Sequence, residues 1–146
     1  MAKSSNVLKL SRKKDHRRLL IRGLVTSLVL DEKLVTTKPK ARAVVPYFER
    51  LVTKAKKGDL HNRRQVTSKV SDAGAVSKLF DDLAKRFSKR QGGYTRVTRV
   101  GWRQGDDAEL VRVSLTEQPV RPKTSTTKKS PTKAKAKPAG GKKPND

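Results

Sequence analysis

The densest run of chemistry-bearing residues lies between Lys85 and Arg103. Lys85, Arg86, Lys89, Arg90, Arg96, Arg99 and Arg103 occur there with no acid among them, and Tyr94 and Trp102 are interleaved. Arg and Lys neutralise phosphates, and a planar side chain stacks on an unpaired base. Gly92, Gly93 and Gly101 permit close backbone approach. The chemistry this predicts is nucleic-acid binding, with Lys89, Arg90, Arg96, Arg99 and Arg103 meeting phosphates. For the two rings a second reading stays open, since Tyr94 and Trp102 equally suit core positions at the edges of a sheet.

Little else suits catalysis. Asp81-Asp82 and Asp106-Asp107 are adjacent pairs whose side chains diverge on a helix or strand, and neither has a partner base nearby. No phosphate-cradling glycine loop and no nucleophile-elbow pattern is present. Caps and loop turns account for these acids. His16 and His61 lack a Cys or second His at ligand spacing, so they read as phosphate or surface contacts. Cysteine is absent, which excludes disulfides, thiolate zinc sites and cysteine nucleophiles. No metal, cofactor, small-molecule substrate or enzymatic reaction is expected.

The charge balance points the same way. The chain carries 37 Lys+Arg against 13 Asp+Glu, a formal net charge of +24 on 146 residues. Such a body repels itself unless a polyanion supplies the counter-charge, and nucleic-acid phosphate is the densest common source. Residues 118–146 hold nine Lys/Arg and a single acid, Asp146, so most of the surplus belongs to the preceding body. No stretch approaches the roughly 20 apolar residues of a membrane-crossing helix.

The elements that must position these groups are legible as periodicities. Residues 1–14 form a basic arm with weak periodicity, carrying Lys9, Arg12, Lys13 and Lys14. Asp15 is placed to cap a helix to about Leu30, with Leu20, Leu24 and Leu28 recurring every four residues. Lys14, Arg18 and Arg22 repeat two positions out of phase, about 200 degrees around the helix, so a basic row lies opposite the apolar one. Lys33–Thr37 reads as a short strand. Thr37 then caps a second helix with Ala41, Val44, Val45, Phe48, Leu51, Val52 and Ala55 on its inner face, ending at Gly58. Pro46 inside it predicts a kink or two abutting helices. Asp59 is placed to cap a helix from Leu60 to about Val70 that carries Arg63, Arg64 and Lys69. Ser71 or Asp72 starts a fourth, burying Val76, Leu79, Phe80, Leu83 and Phe87. Strands at Tyr94–Trp102 and Ala108–Leu115 are joined by a loop containing Gly105-Asp106-Asp107. After Glu117, a Lys/Pro/Ala/Thr-rich composition predicts a disordered tail.

Several segments carry a family resemblance. They are Lys9-Leu10-Ser11-Arg12 before His16-Arg17, Ser27-Leu28, and Thr36-Thr37-Lys38-Pro39-Lys40-Ala41. They continue with Gly58-Asp59-Leu60-His61-Asn62-Arg63-Arg64, Lys78-Leu79-Phe80-Asp81, Gly92-Gly93-Tyr94-Thr95-Arg96 and Gly101-Trp102-Arg103-Gln104-Gly105-Asp106. In this order, across roughly residues 9–116, the chain resembles the bacterial large-subunit ribosomal protein L-seventeen family. The resemblance implies a two-layer domain without catalysis of its own, contacting large-subunit ribosomal RNA near the outer rim of the peptide exit tunnel. It implies RNA-facing roles for Arg12, His16, Arg17, Arg18, Arg63, Arg64, Tyr94, Arg96 and Arg103. The start Met1-Ala2-Lys3, the missing proline in Asp107-Ala108-Glu109, Pro46 and the Lys-rich tail depart from the family pattern.

The expectation is therefore an α+β chain: a basic arm (1–14), an RNA-binding domain (15–117) and a disordered tail (118–146). In the domain, about four helices pack on a small mixed sheet that ends in a β-hairpin. Its expected partners are large-subunit ribosomal RNA and neighbouring large-subunit proteins, in a cytoplasmic, ribosome-bound setting. The alternative is a nucleoid or chromatin-type DNA-compacting protein, suggested by the histone-like run from Thr124 to Lys143.

Overall fold

The computed structural model describes residues 8–117, so the tail and the first residues of the arm lie outside the described part. Helix α1 (Lys14–Asp31) starts one residue before the expected cap. Lys13 occupies the capping position without a side-chain bond, and Asp15 sits in the first turn, where its charge favours the helix dipole. Val25, Leu28 and Val29 on its inner row are fully buried. The helix ends at Glu32, a left-handed residue (φ 58°) whose backbone N–H donates to the carbonyl of Leu28.

Strand β1 (Lys33–Thr37) leads directly into α2 (Lys38–Lys57). Pro46 does not divide α2, which runs as one helix. Phe48, Leu51, Val52 and Ala55 beyond the proline are all buried, and that burial outweighs the roughly 3 kcal/mol penalty of an internal proline. Gly58 closes the helix in the left-handed region (φ 72°), as its sequence predicts.

Helix α3 (Leu60–Thr67) stops short of the expected Val70. The hydroxyls of Thr67 and Ser68 donate to the carbonyls of Arg63 (3.0 Å) and Gln65 (2.9 Å), offering the backbone an exit from the helix. Asp72 caps the next helix, accepting from the N–H of Ala75 at 2.8 Å. That fourth helix comprises α4 (Ala73–Lys78), a π-helical turn (Leu79–Leu83) and a final α-turn (Ala84–Arg86). Val76, Leu79, Leu83 and Phe87 are buried as expected, joined by Ala75, while Phe80 is half-buried.

Strands β2 (Thr95–Trp102) and β3 (Glu109–Leu115) form the hairpin, with β3 central in the order β1-β3-β2. Both pairings are antiparallel, so the sheet is not mixed as expected. The tight loop between β2 and β3 makes that pair antiparallel, and β1 joins the other edge of β3 from a distant part of the chain. Val111, Val113 and Leu115 are buried in the core on the face that packs on α2. The opposite face, with Val35, Arg112 and Arg96, is exposed.

Candidate nucleic-acid interface

The expected contact residues are distributed over four elements. Lys9 and Arg12 lie in a tight turn, where the Arg12 N–H donates to the Lys9 carbonyl at 3.2 Å, and both are exposed. Lys13, Lys14, His16 and Arg18 are exposed on or beside the first turn of α1, with Arg17 and Arg22 half-buried. Arg63 and Arg64 are exposed on α3, and the Arg63 guanidinium lies 5.5 Å from the Phe80 ring centre. Lys89 is exposed beyond the fourth helix, whereas Arg90 donates to the Gly92 carbonyl at 3.1 Å. Arg96 stands on the outer sheet face, across from Ser114 and then Lys33.

Tyr94 does not belong with these residues. It is 1% exposed, its ring lies 5.1 Å from that of Phe87, and its hydroxyl donates to the Arg90 carbonyl. The expected base contact is thus a core residue, because the chain turns inward between Gly93 and β2 to close the layer over Phe87. Trp102 has the opposite fate, with 59% of its surface exposed.

A bulge in β2 explains the placement of Trp102. Residues three apart on a regular strand point to opposite faces. The register shifts between Arg99 and Gly101, so that Arg99 faces Val111, Gly101 faces Leu110 and Trp102 faces Glu109. Arg99 and Trp102 therefore share one face, and the guanidinium covers the indole at 4.6 Å. Gly101 adopts φ 154°, which side chains rarely accept. Arg103 beyond it is held by both oxygens of Asp106. The Arg103 hydrogen bond pulls the Asp106 carboxyl down to about 2, so this exposed pair is ionised across the hairpin loop.

On that same sheet face a hollow of about 480 Å³ opens beside α2, walled by Val97, Arg99 and Glu109 on the sheet and Lys38, Arg42 and Pro46 on the helix. Arg42 and Pro46 also wall a second hollow, of about 250 Å³, with Leu8, Ile21, Tyr47 and Arg50. Ile21 and Tyr47 in turn wall a third, of about 210 Å³, with Arg18, Arg22, Ser68 and Lys69. The shared walls make one continuous track from β2 along α2 to α1. Lys38, Arg42, Arg99, Arg50, Arg18, Arg22 and Lys69 line it against one acid, Glu109, while adjoining hollows that share Arg50 and Arg18 bring Glu49 and Asp15 to its margin. Lys38 donates to Glu109 at 2.8 Å and Arg99 lies 3.7 Å from it, and the Lys38 hydrogen bond holds the Glu109 carboxyl below its ordinary range.

A second cluster of charges lies away from this face. Glu32 accepts from Arg86 at 2.7 and 3.1 Å and meets Lys78 at 3.0 Å, and Arg86 also reaches Asp82 at 2.8 Å. This network ties the end of α1 to the fourth helix.

Lys38, Arg42 and Arg50 were not among the residues the sequence singled out, and Lys69 was read only as a cation of the third helix. The signal was present on α2, where Lys38 and Arg42 stand four apart off the apolar row, but that helix was legible mainly through its core face. Lys69 reaches the track only because the chain leaves α3 early.

Residues 20–116 match the family described as ribosomal protein L17. The chain is 46% identical over 120 residues to "Large ribosomal subunit protein bL17" of Agrobacterium fabrum, covering 82% of this chain and 85% of that protein. It is 45% identical to the protein of the same name from Allorhizobium ampelinum over the same shares. With the protein so named from Erythrobacter litoralis the identity is 46% over 110 residues, 75% of this chain and 79% of the relative. The chain belongs to the ribosomal protein L17 family.

Proposed function

We propose that this large-subunit ribosomal protein binds and stabilises large-subunit ribosomal RNA as a structural constituent, at a site near the rim of the peptide exit tunnel. The observation that carries the reading is the cationic track joining β2, α2 and α1, where the acid between Lys38 and Arg99 is already paired. Such a surface neutralises several phosphates at once and orients the body against irregular RNA. The basic arm (Lys9, Arg12, Lys13, Lys14), His16 and Arg17 extend it, while Arg63, Arg64, Lys89, Arg90 and Arg96 supply further cations. Exposed Trp102 offers an unpaired base one face of its ring, Arg99 covering the other. The tunnel-rim location rests on family membership, as does the setting in ribosomes with neighbouring large-subunit proteins. No helix of the described residues is long and apolar enough to cross a membrane.

Sucrose-gradient fractionation of cells in magnesium buffer tests the reading. The chain should sediment with the large subunit and stay there through a high-salt wash. Recovery mainly with the nucleoid would favour the DNA-compacting alternative and overturn it.

A further inference from the structure

We propose that the hollow between α1, α2 and the turn after α3 is a socket for a single phosphate group of the RNA backbone. Its walls come from three separate parts of the chain: Arg18 and Arg22, Tyr47, and Ser68 with Lys69. The Nε of Arg22 is buried there and has no hydrogen-bond partner among the described residues. No ion pair among the described residues involves Arg22 or Lys69. Arg18 has one acid nearby, Asp15 at 3.9 Å, but both side chains are strongly exposed and the pair is screened.

A guanidinium fork, an ammonium and the Tyr47 hydroxyl around one small space match the oxygens of a phosphodiester, the Ser68 hydroxyl being committed to the Gln65 carbonyl. A buried donor with no acceptor is a standing penalty, and a turn of the Arg22 guanidinium toward an anion in the hollow would relieve it. The electrostatics of the rim agree. Burial, and then the charges of Lys54 and Arg50, lower the Lys69 ammonium below its ordinary value, so the free protein holds mutually repelling cations here. Burial raises the Tyr47 hydroxyl against the pull of Arg22 and Arg18, leaving it protonated and able to donate. The hollow continues the track described above, which puts an RNA strand lying along α2 in reach of it. The socket thus rests on the RNA-binding reading and deepens it to one contact.

The test uses the full chain and a transcript of large-subunit ribosomal RNA, with affinity measured across a range of salt concentrations. Lys69→Gln should lower the slope of log affinity against log salt by about 1, the share of one phosphate. Arg22→Lys, which keeps the charge but loses the fork, should weaken binding with less change in slope. Because both residues meet one phosphate, Lys69→Gln combined with Arg22→Gln should lose no more slope than Lys69→Gln alone. Lys69 acetylation in the wild-type chain, mapped by mass spectrometry, gives a readout independent of variant folding. RNA should protect Lys69, and inorganic phosphate at matched concentration should not.

Unchanged slopes and unprotected Lys69, with Arg99→Gln still reducing the slope, would remove the socket and leave the RNA reading intact. Protection by inorganic phosphate but not by RNA would identify a small-anion site and likewise overturn it. Protection only in assembled subunits, with Lys69 crosslinked to a protein carboxylate, would replace RNA by a protein neighbour. Failure of the wild-type chain to bind the transcript at all would overturn both.

Discussion

Replacing Glu32 by Gln should unfasten the end of α1 from the fourth helix without disturbing the cationic track. Glu32 is 14% exposed in its side chain and accepts both terminal nitrogens of Arg86, itself 16% exposed, while Lys78 meets the same carboxylate. Breaking a fully buried pair costs about 3–5 kcal/mol and breaking an exposed one about 0–1. Here Arg86 keeps Asp82 at 2.8 Å and the Glu117 carbonyl at 3.0 Å, and Lys78 keeps the Leu30 carbonyl at 2.6 Å. The loss should therefore fall between those limits, about 2 kcal/mol, or on the order of 10 °C in Tm for a domain of this size. The pH dependence fixes the cause. Burial raises the Glu32 carboxyl, but the Arg86 and Lys78 hydrogen bonds outweigh it and hold it below its ordinary 4.5. A carboxyl depressed on folding contributes stability above its unfolded pKa and loses it as pH falls through the folded one. Thermal melts of wild type and Glu32→Gln followed by circular dichroism should thus differ at neutral pH and converge in strong acid. Melts that coincide at neutral pH, or a gap undiminished in acid, would refute the assignment. Because Glu32 sits at φ 58°, Glu32→Gly should be less destabilising than Glu32→Ala by about 1 kcal/mol.

Three further outcomes are expected. Gly23 is exposed on α1 with nothing within 4 Å of an added Cβ, so Gly23→Ala should raise stability by about 0.5–1 kcal/mol in urea melts. Trp102 is the chain's one tryptophan, so its emission reports on that site alone. Binding of large-subunit RNA should quench it, and Trp102→Ala should weaken binding by about 1–3 kcal/mol, the range for a stacked base. Unchanged emission in a complex shown to form by gel shift would rule the stack out. Arg96→Glu with Arg99→Glu should impair incorporation into large subunits more than Asp81→Ala with Asp82→Ala, measured by gradient fractionation of tagged variants. The reverse order would argue against the hairpin as a contact.

What was legible in the sequence followed from periodicity. The rows of α1 and α2 and the alternation of Val111, Val113 and Leu115 announced themselves because each faces one layer of the core. Tyr94 was not legible, since a ring between Gly93 and a strand suits a base or a core equally, and only its approach to Phe87 decides. The antiparallel pairing of β1 with β3 depends on a contact between distant segments, which no local pattern encodes. The same limit hid the basic track. Arg22, Tyr47 and Lys69 lie far apart along the chain and come together only where α1, α2 and the turn after α3 wall one hollow. The bulge that brings Arg99 over Trp102 had a trace in Gly101, yet a glycine in a strand also marks simple close approach.

The central claim is that the cationic face made by α1, α2 and β2 is the one that meets RNA. Ultraviolet crosslinking of intact large subunits, with crosslinked peptides identified by mass spectrometry, measures it directly. RNA adducts are expected on peptides containing Arg18–Arg22, Arg42–Arg50 and Arg99–Trp102. Adducts confined to residues 118–146, or concentrated on the fourth helix around Asp82 and Arg86, would contradict it.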